Sequence, residues 1–155
     1  MRKHIDDKYN SYRGPSHTVN FINPRRLKRY IALAVKYLKK YHGQYDTIAF
    51  AGISGAVIGP VVAMKLKKEC ILVRKNGDIR QSFAEVTGYD ECRKYIIIDD
   101  FICSGHTVKM IQNKIHDFLP DAECLGVLEV QSLKGAGSYG PNTELTKDNI
   151  LTFST

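Results

Sequence analysis

The sequence predicts an α/β fold: an open, mostly parallel sheet flanked by helices. Three observations predict it. Apolar, β-branched runs such as Ile96-Ile97-Ile98 are unbroken by polar residues, as expected of strands buried on both faces of a sheet. Stretches with helical apolar spacing separate these runs. Strand, helix, strand with a right-handed connection then implies neighbouring parallel strands.

Taken in order, residues 1–22 are polar with interleaved aromatics, and Thr18-Val19-Asn20-Phe21-Ile22 reads as a short strand. Asn23-Pro24 reads as the N-cap and first residue of a helix. Leu27, Ile31, Ala34, Val35 and Leu38 give that helix an apolar face to about Lys40, and Gly43 stops it. Thr47-Ile48-Ala49-Phe50-Ala51 is a buried strand running into the glycine-bounded loop Gly52-Ile53-Ser54-Gly55-Ala56. A helix follows through Val57, Val61, Met64 and Leu66, with Gly59-Pro60 in its first turns, and Cys70-Ile71-Leu72-Val73-Arg74 is the next strand. Residues 76–93 form a long polar segment, and a loop of that length in a compact domain is usually functional or mobile. After the strand at Ile96, a helix is marked by Val108, Ile111, Ile115, Phe118 and Leu119. Ala122 to Val130 is a further buried strand, and Ile150-Leu151-Thr152-Phe153 reads as an edge strand.

A chain of 155 residues suits one domain with a real core. The net charge of +7 suits an anionic ligand such as a nucleotide or polyphosphate. The basic residues are spread out apart from Pro24-Arg25-Arg26-Leu27-Lys28-Arg29, a solvated helix face, so nucleic acid is not the expected main partner. Cys70, Cys92, Cys103 and Cys124 have no CxxC spacing and read as buried small hydrophobes in a reducing cytoplasm. No run approaches a membrane span, and Met1-Arg2-Lys3-His4 is not followed by an apolar signal segment.

The chain is organised around Tyr95-Ile96-Ile97-Ile98-Asp99-Asp100-Phe101-Ile102-Cys103-Ser104-Gly105-His106-Thr107. Two carboxylates stand where a buried strand ends, and a small-residue turn then enters a helix. Successive backbone N–H groups backed by a helix N-terminus make an anion site. Gly105 permits close approach, and Ser104 and Thr107 add hydroxyl donors. Carboxylates would repel a phosphate bound directly at them. Beside one, they make sense as acceptors for sugar hydroxyls or as holders of Mg²⁺ through water. An Asp-Asp pair alone would read as a solvated turn; the thirteen-residue stretch is far more specific, and it points to a sugar phosphate.

This stretch resembles the phosphoribosyl-diphosphate (PRPP) binding motif of type I phosphoribosyltransferases. In that family a hydrophobic strand runs into two acidic residues and a small-residue loop ending Gly-x-Thr. Phe101 and Cys103 depart from the family's small aliphatic and Thr without removing a backbone N–H. The chain is also similar to the adenine-type members at Ser54-Gly55-Ala56, Gly59-Pro60, Arg74-Lys75-Asn76-Gly77 and Leu133-Lys134-Gly135. The resemblance covers about residues 46–135. It implies a core of about residues 24–130 and a small base-selecting hood from about 1–23 and 131–155, with Tyr9, Tyr12, Phe21 and Tyr139 as candidate stacking residues.

The resemblance also implies an activity: transfer of ribose 5-phosphate between PRPP and a nitrogenous base, with a purine favoured and diphosphate as leaving group. Asp99 and Asp100 would hold the ribose hydroxyls and, through water, Mg²⁺. Cys103, Ser104, Gly105, His106 and Thr107 would bind the 5-phosphate, His106 serving as a helix N-terminal residue and not as a base. Ile53, Ser54, Gly55, Arg74 and Lys75 would meet the diphosphate. Ser54 replaces the basic residue of the family's loop, and Ala56 its purine-stacking Phe. Residues 76–93 would be the hairpin that closes over PRPP, with Ser82 and Phe83 in place of its Ser-Tyr pair and Glu85 nearest the catalytic Glu of adenine-type enzymes. A lid is needed because water would otherwise capture an oxocarbenium-like transition state. A homodimer in the cytoplasm is the implied state.

Three alternatives stay open on the residues. A non-catalytic PRPP or nucleotide sensor on the same fold is favoured by Ser54 and Ala56. A nucleic-acid-binding regulator would use Arg25 to Arg29 and bind in a salt-dependent way. A phosphohydrolase would use Asp99 with in-line geometry.

Overall fold

The structure, a computed structural model, describes residues 19, 21–75, 84–102 and 104–130. Asn23 caps the first helix, α1 (Pro24–Leu38), its side chain accepting the Arg25 and Arg26 N–H groups at 3.1 and 3.2 Å. Proline at the next position has no N–H to satisfy, which suits it to a helix start. A 3₁₀ turn (Lys39–Tyr41) follows, so the α-helical run ends just short of the expected Lys40.

The strand expected at residues 18–22 is not formed: Val19, Phe21 and Ile22 are helical. The Asn23 N–H donates to the Val19 C=O at 3.2 Å, the spacing of an α-turn. That turn carries Phe21 into the core, 1% exposed, with its ring centroid 5.2 Å from that of Tyr30. Phe21 is therefore packing and not a stacking residue for a base; Tyr9, Tyr12 and Tyr139 lie outside the described residues, as does the edge strand expected at residues 150–153.

β1 (Thr47–Ala51) is buried at every position. α2 (Gly52–Leu66) follows without a loop, a correction to the glycine-bounded loop read from the sequence. Gly52, at φ +66°, makes the turn in one residue, a conformation that glycine adopts freely. Pro60 consequently lies inside α2 and not in its first turns. Pro60 and Ala56, whose carbonyl loses its helical donor, are both exposed, so the missing bond falls on the solvent side. Gly59 faces the sheet, where a Cβ would overlap the Phe50 ring; its lack of a side chain brings α2 down onto β1.

The remaining elements are β2 (Glu69–Val73), β3 (Val86–Gly88), β4 (Lys94–Asp99), α3 (His106–Phe118) and β5 (Glu123–Glu129). The sheet order is β3-β2-β1-β4-β5. β1 runs parallel to β2 and β4, β5 runs parallel to β4, and β3 is antiparallel to β2. The polar segment read across residues 76–93 thus contains an edge strand. Its polar pattern hid it, because only Val86 of the three residues is buried while Thr87 and Gly88 face solvent.

Alternation along the strands builds two cores. Ile48, Phe50, Ile96 and Ile98 pack against α1 and α2 on one face. Ala49, Ala51, Ile97 and Val127 pack against Val108, Ile111 and Ile115 of α3 on the other. Phe118, expected on that apolar face, is 45% exposed because it ends the helix beyond the sheet contact. Cys92 is buried and Cys70 and Cys124 are half-buried free thiols, and burial pushes all three above their ordinary range.

Candidate functional site

Parallel strands β2, β1, β4 and β5 end at the same edge of the sheet. Their carboxyl ends carry Arg74 and Lys75, Gly52, Asp99 with Asp100, and Glu129 respectively. The crossover from β1 covers one face through α2, and the crossover from β4 covers the other through α3. The crevice between β1 and β4 is thus a topological switch point, where open α/β sheets bind ligands.

The Asp pair lies at this crevice. Asp99 is the last residue of β4 and 9% exposed; Asp100 follows at 8%. The Asp100 N–H donates to the Asp99 carboxylate at 2.9 Å. Burial, then the hydrogen bond and charge of the Asp100 side chain, push Asp99 well above the usual carboxylate range, while the Lys75 ammonium draws it back. Two adjacent buried carboxylates cannot both hold a charge cheaply.

On the β1 side, the first turn of α2 presents Ile53, Ser54 and Gly55. Ile53 is 78% exposed and Ser54 half-buried. A Cβ on Gly55 would stand 3.0 Å from Phe50 Cβ and 3.7 Å from the Ile98 carbonyl oxygen, so this turn sits tightly over both β1 and β4. Lys75 lies across Gly52: a Cβ there would be 3.0 Å from Lys75 Cε and 3.2 Å from its Nζ. The ammonium is therefore at the start of α2. Arg74 is half-buried, and its Nε is buried without a hydrogen-bond partner among the described residues.

On the β4 side the chain turns into α3 at Gly105, φ +79°, which as N-cap has no side chain to bond the first-turn N–H groups. The His106 N–H approaches Ser104 Oγ at 3.4 Å. No acidic residue lies in the first turn, so the positive end of the helix is left for an anion. Ser104 and His106 are exposed and Thr107 half-buried.

Glu85 is not brought to the Asp pair by any bond among the described residues. Its carboxylate is 3.4 Å from Lys114 Nζ of α3, which also donates to the Arg74 carbonyl at 2.9 Å. The Arg74 N–H in turn donates to the Glu85 carbonyl at 2.9 Å. Cys103, Ser82 and Phe83 lie outside the described residues.

Sequence reasoning missed Glu129. It ends β5 opposite Asp99 and is 1% exposed. The signal was available: an acidic residue inside Leu125-Gly126-Val127-Leu128-Glu129-Val130 must find partners if the strand is buried on both faces. Among the described residues no group of three or more His, Cys, Asp or Glu could hold a metal ion by itself.

No family model matches the chain. Adenine phosphoribosyltransferase of Mus pahari is 29% identical over 136 residues, 77% of this chain and 76% of that protein. The adenine phosphoribosyltransferase of Saccharomyces cerevisiae, solved with an imino-altritol bisphosphate and adenine, superposes with a TM-score of 0.55 at 22% identity, over 76% of each chain. Orotate phosphoribosyltransferase from Aeropyrum pernix superposes with a TM-score of 0.58 at 10% identity, over 72% of this chain and 62% of that one. The chain thus spans about three quarters of its curated relative and less than two thirds of the orotate enzyme. Its five-stranded sheet has the fold of these phosphoribosyltransferases, and over about three quarters of its length its sequence is similar to the adenine-type enzymes.

Proposed function

We infer that the chain transfers the 5-phosphoribosyl group between PRPP and a nucleobase, a purine by its adenine-type relatives. The observation that carries this reading is the buried Asp99–Asp100 pair between two helix starts that are open to anions. Ser104 to Thr107 would bind the 5-phosphate through N–H and hydroxyl donors. Ribose hydroxyls would donate to Asp99 and Asp100. The start of α2 with Lys75 and Arg74 would take the diphosphate. Displacement at the anomeric carbon builds positive charge on the sugar and negative charge on the leaving diphosphate, and rate enhancement comes from positioning and electrostatics.

Two adjacent carboxylates, with no third protein ligand among the described residues, suit Mg²⁺, which keeps its waters and binds chiefly through substrate phosphates. Asp99 and Asp100 would hold it through water, and it would neutralise the departing diphosphate. Among the described residues no helix is long and apolar enough to cross a membrane. A cytoplasmic homodimer belongs to the same reading, and light scattering of the purified chain checks its size.

A second reading has one specific observation in its favour: Ser54 removes a basic contact, as a PRPP-binding regulator without turnover could tolerate. Lys75 at the start of α2 favours the enzyme. Isotope-traced diphosphate release from PRPP with Mg²⁺, across a panel of purines, orotate and uracil, decides. Release with one base, lost in Asp99→Asn/Asp100→Asn, supports transfer. Binding of PRPP that needs both aspartates, with no release for any base, would leave the regulator.

A further inference from the structure

Glu129 lies deep in the sheet end, 1% exposed, beside Val127, Leu128 and Val130, which are buried too. One of its carboxylate oxygens accepts the Ile102 N–H at 3.1 Å. The Val130 N–H, next along the chain, donates to the Asp99 carbonyl at 2.9 Å. These two bonds bracket the Asp pair. The second holds the backbone entering it, and the first holds the backbone leaving it. Ile102 is itself 2% exposed and packs in the core with Val108 and Ile111 of α3. The β4–β5 ladder stops at the Asp99–Glu129 pair, so beyond it a side chain does the work that main-chain pairing does earlier.

We propose that Glu129 is a positioning residue of the phosphate loop. By holding the Ile102 N–H it sets where the chain leaves the sheet, and so where Ser104 to Thr107 point their N–H groups. This rests on the phosphoribosyl reading above. Two features argue for it. The Glu129 side chain satisfies the buried Ile102 N–H, a donor that is costly to leave unpaired. And the bond lands on Ile102, in the short stretch between the Asp pair and the anion-binding turn. Glu129 touches no ligand in this scheme; it acts through Ile102.

The test uses the full chain with Glu129→Ala, Glu129→Gln and Glu129→Asp. Calorimetric titration with ribose 5-phosphate reads the phosphate loop without diphosphate or base. Steady-state kinetics with PRPP, thermal unfolding and amide exchange at Ile102 accompany it. Gln keeps an acceptor and is expected to stay close to wild-type affinity. Ala is expected to weaken ribose 5-phosphate by about tenfold or more, the scale of one lost anchoring bond, and to raise KM for PRPP more than it lowers kcat. Asp, one methylene shorter, is expected to fall between them, and it carries the test if the Ala variant does not fold. Wild-type affinity in the Ala or Asp variant, together with faster exchange at Ile102, would overturn the proposal, because the bond would then be structural only. A wild-type chain that binds neither ribose 5-phosphate nor PRPP would sink the phosphoribosyl reading and the role of Glu129 with it, and the wild-type titration separates the two failures.

Discussion

Replacing Asp99 by Asn should make the protein more stable at neutral pH while abolishing phosphoribosyl transfer. Asp99 is 9% exposed and lies against a second buried carboxylate. Burial and Asp100 raise its affinity for a proton in the folded state above that in the unfolded chain, where an Asp titrates near 3.9. The folded state therefore binds more protons than the unfolded state, and stability falls as pH rises from about 4 through the folded pKa. Each unit of that rise is worth about 1.4 kcal/mol, so even one to two units cost the wild type about 1.5–3 kcal/mol at pH 7. Asn removes the titration and keeps an oxygen for the Asp100 N–H, which now lies 2.9 Å from the carboxylate. For a chain of this size the gain corresponds to roughly 3–10 °C in Tm. The assay is thermal unfolding of both proteins from pH 4 to pH 8.5. The difference should vanish near pH 4 and grow with pH; other groups, such as Asp46 held low by its hydrogen bonds from Thr47, Lys94 and Arg93, cancel in the comparison. A variant less stable than wild type at pH 7, or a difference independent of pH, would refute the reasoning.

Other outcomes follow from the same geometry. PRPP binding with Mg²⁺ should expel the proton that Asp99 holds, so affinity should rise with pH; calorimetry in two buffers of unlike ionisation heat reads the released proton, and its absence would count against hydroxyl donation to Asp99. Gly52→Ala forces an L-residue to φ +66° and displaces Lys75, with an expected stability loss of about 1–2 kcal/mol and weaker inorganic diphosphate binding. Gly59→Ala drives a Cβ into the Phe50 ring and should lower the urea midpoint by the equivalent of about 1–3 kcal/mol. Asn23→Ala removes the cap of α1, and a loss of about 1 kcal/mol with turnover unchanged is expected, since α1 lies away from the crevice.

The strands were legible because their burial is two-sided. Thr47 to Ala51 and Ile96 to Ile98 are continuous apolar runs, and both are strands buried along their length. Asn23-Pro24 was legible because capping is local chemistry. What the sequence hid depends on contacts between distant residues. Val19 and Phe21 have strand-forming side chains, yet the core contact with Tyr30 fixes a helical turn. Gly52 and Gly55 read as a loop; in the fold, one makes the turn and the other lets a helix settle onto β1 and β4. In the site, Asp99, Asp100 and the Gly105 turn lie on one local stretch and were found together. Lys75 was legible as one of two basic groups at a strand's carboxyl end as well as by resemblance, but its place across Gly52 depends on the parallel pairing of β1 and β2. Glu85 lies within the polar segment of the sequence, whereas its partner Lys114 comes from α3.

The distribution of charge along the sheet end bears on which reaction the crevice suits. In strand order the groups run Lys75, Gly52, the Asp pair, Glu129, with α2 starting beside the first two and α3 entered from the Asp pair through Gly105. Acid is therefore central, and the anion-binding features flank it on opposite faces of the sheet. A phosphohydrolase needs the phosphate at the carboxylate itself, where two buried acids would repel it. A molecule with phosphates at its two ends and hydroxyls between them meets each feature with the matching group. The hydroxyls donate to the acids, and each phosphate takes a helix start. The same arrangement explains why burial raises the proton affinity of Asp99: the groups that would stabilise its charge would come with such a molecule.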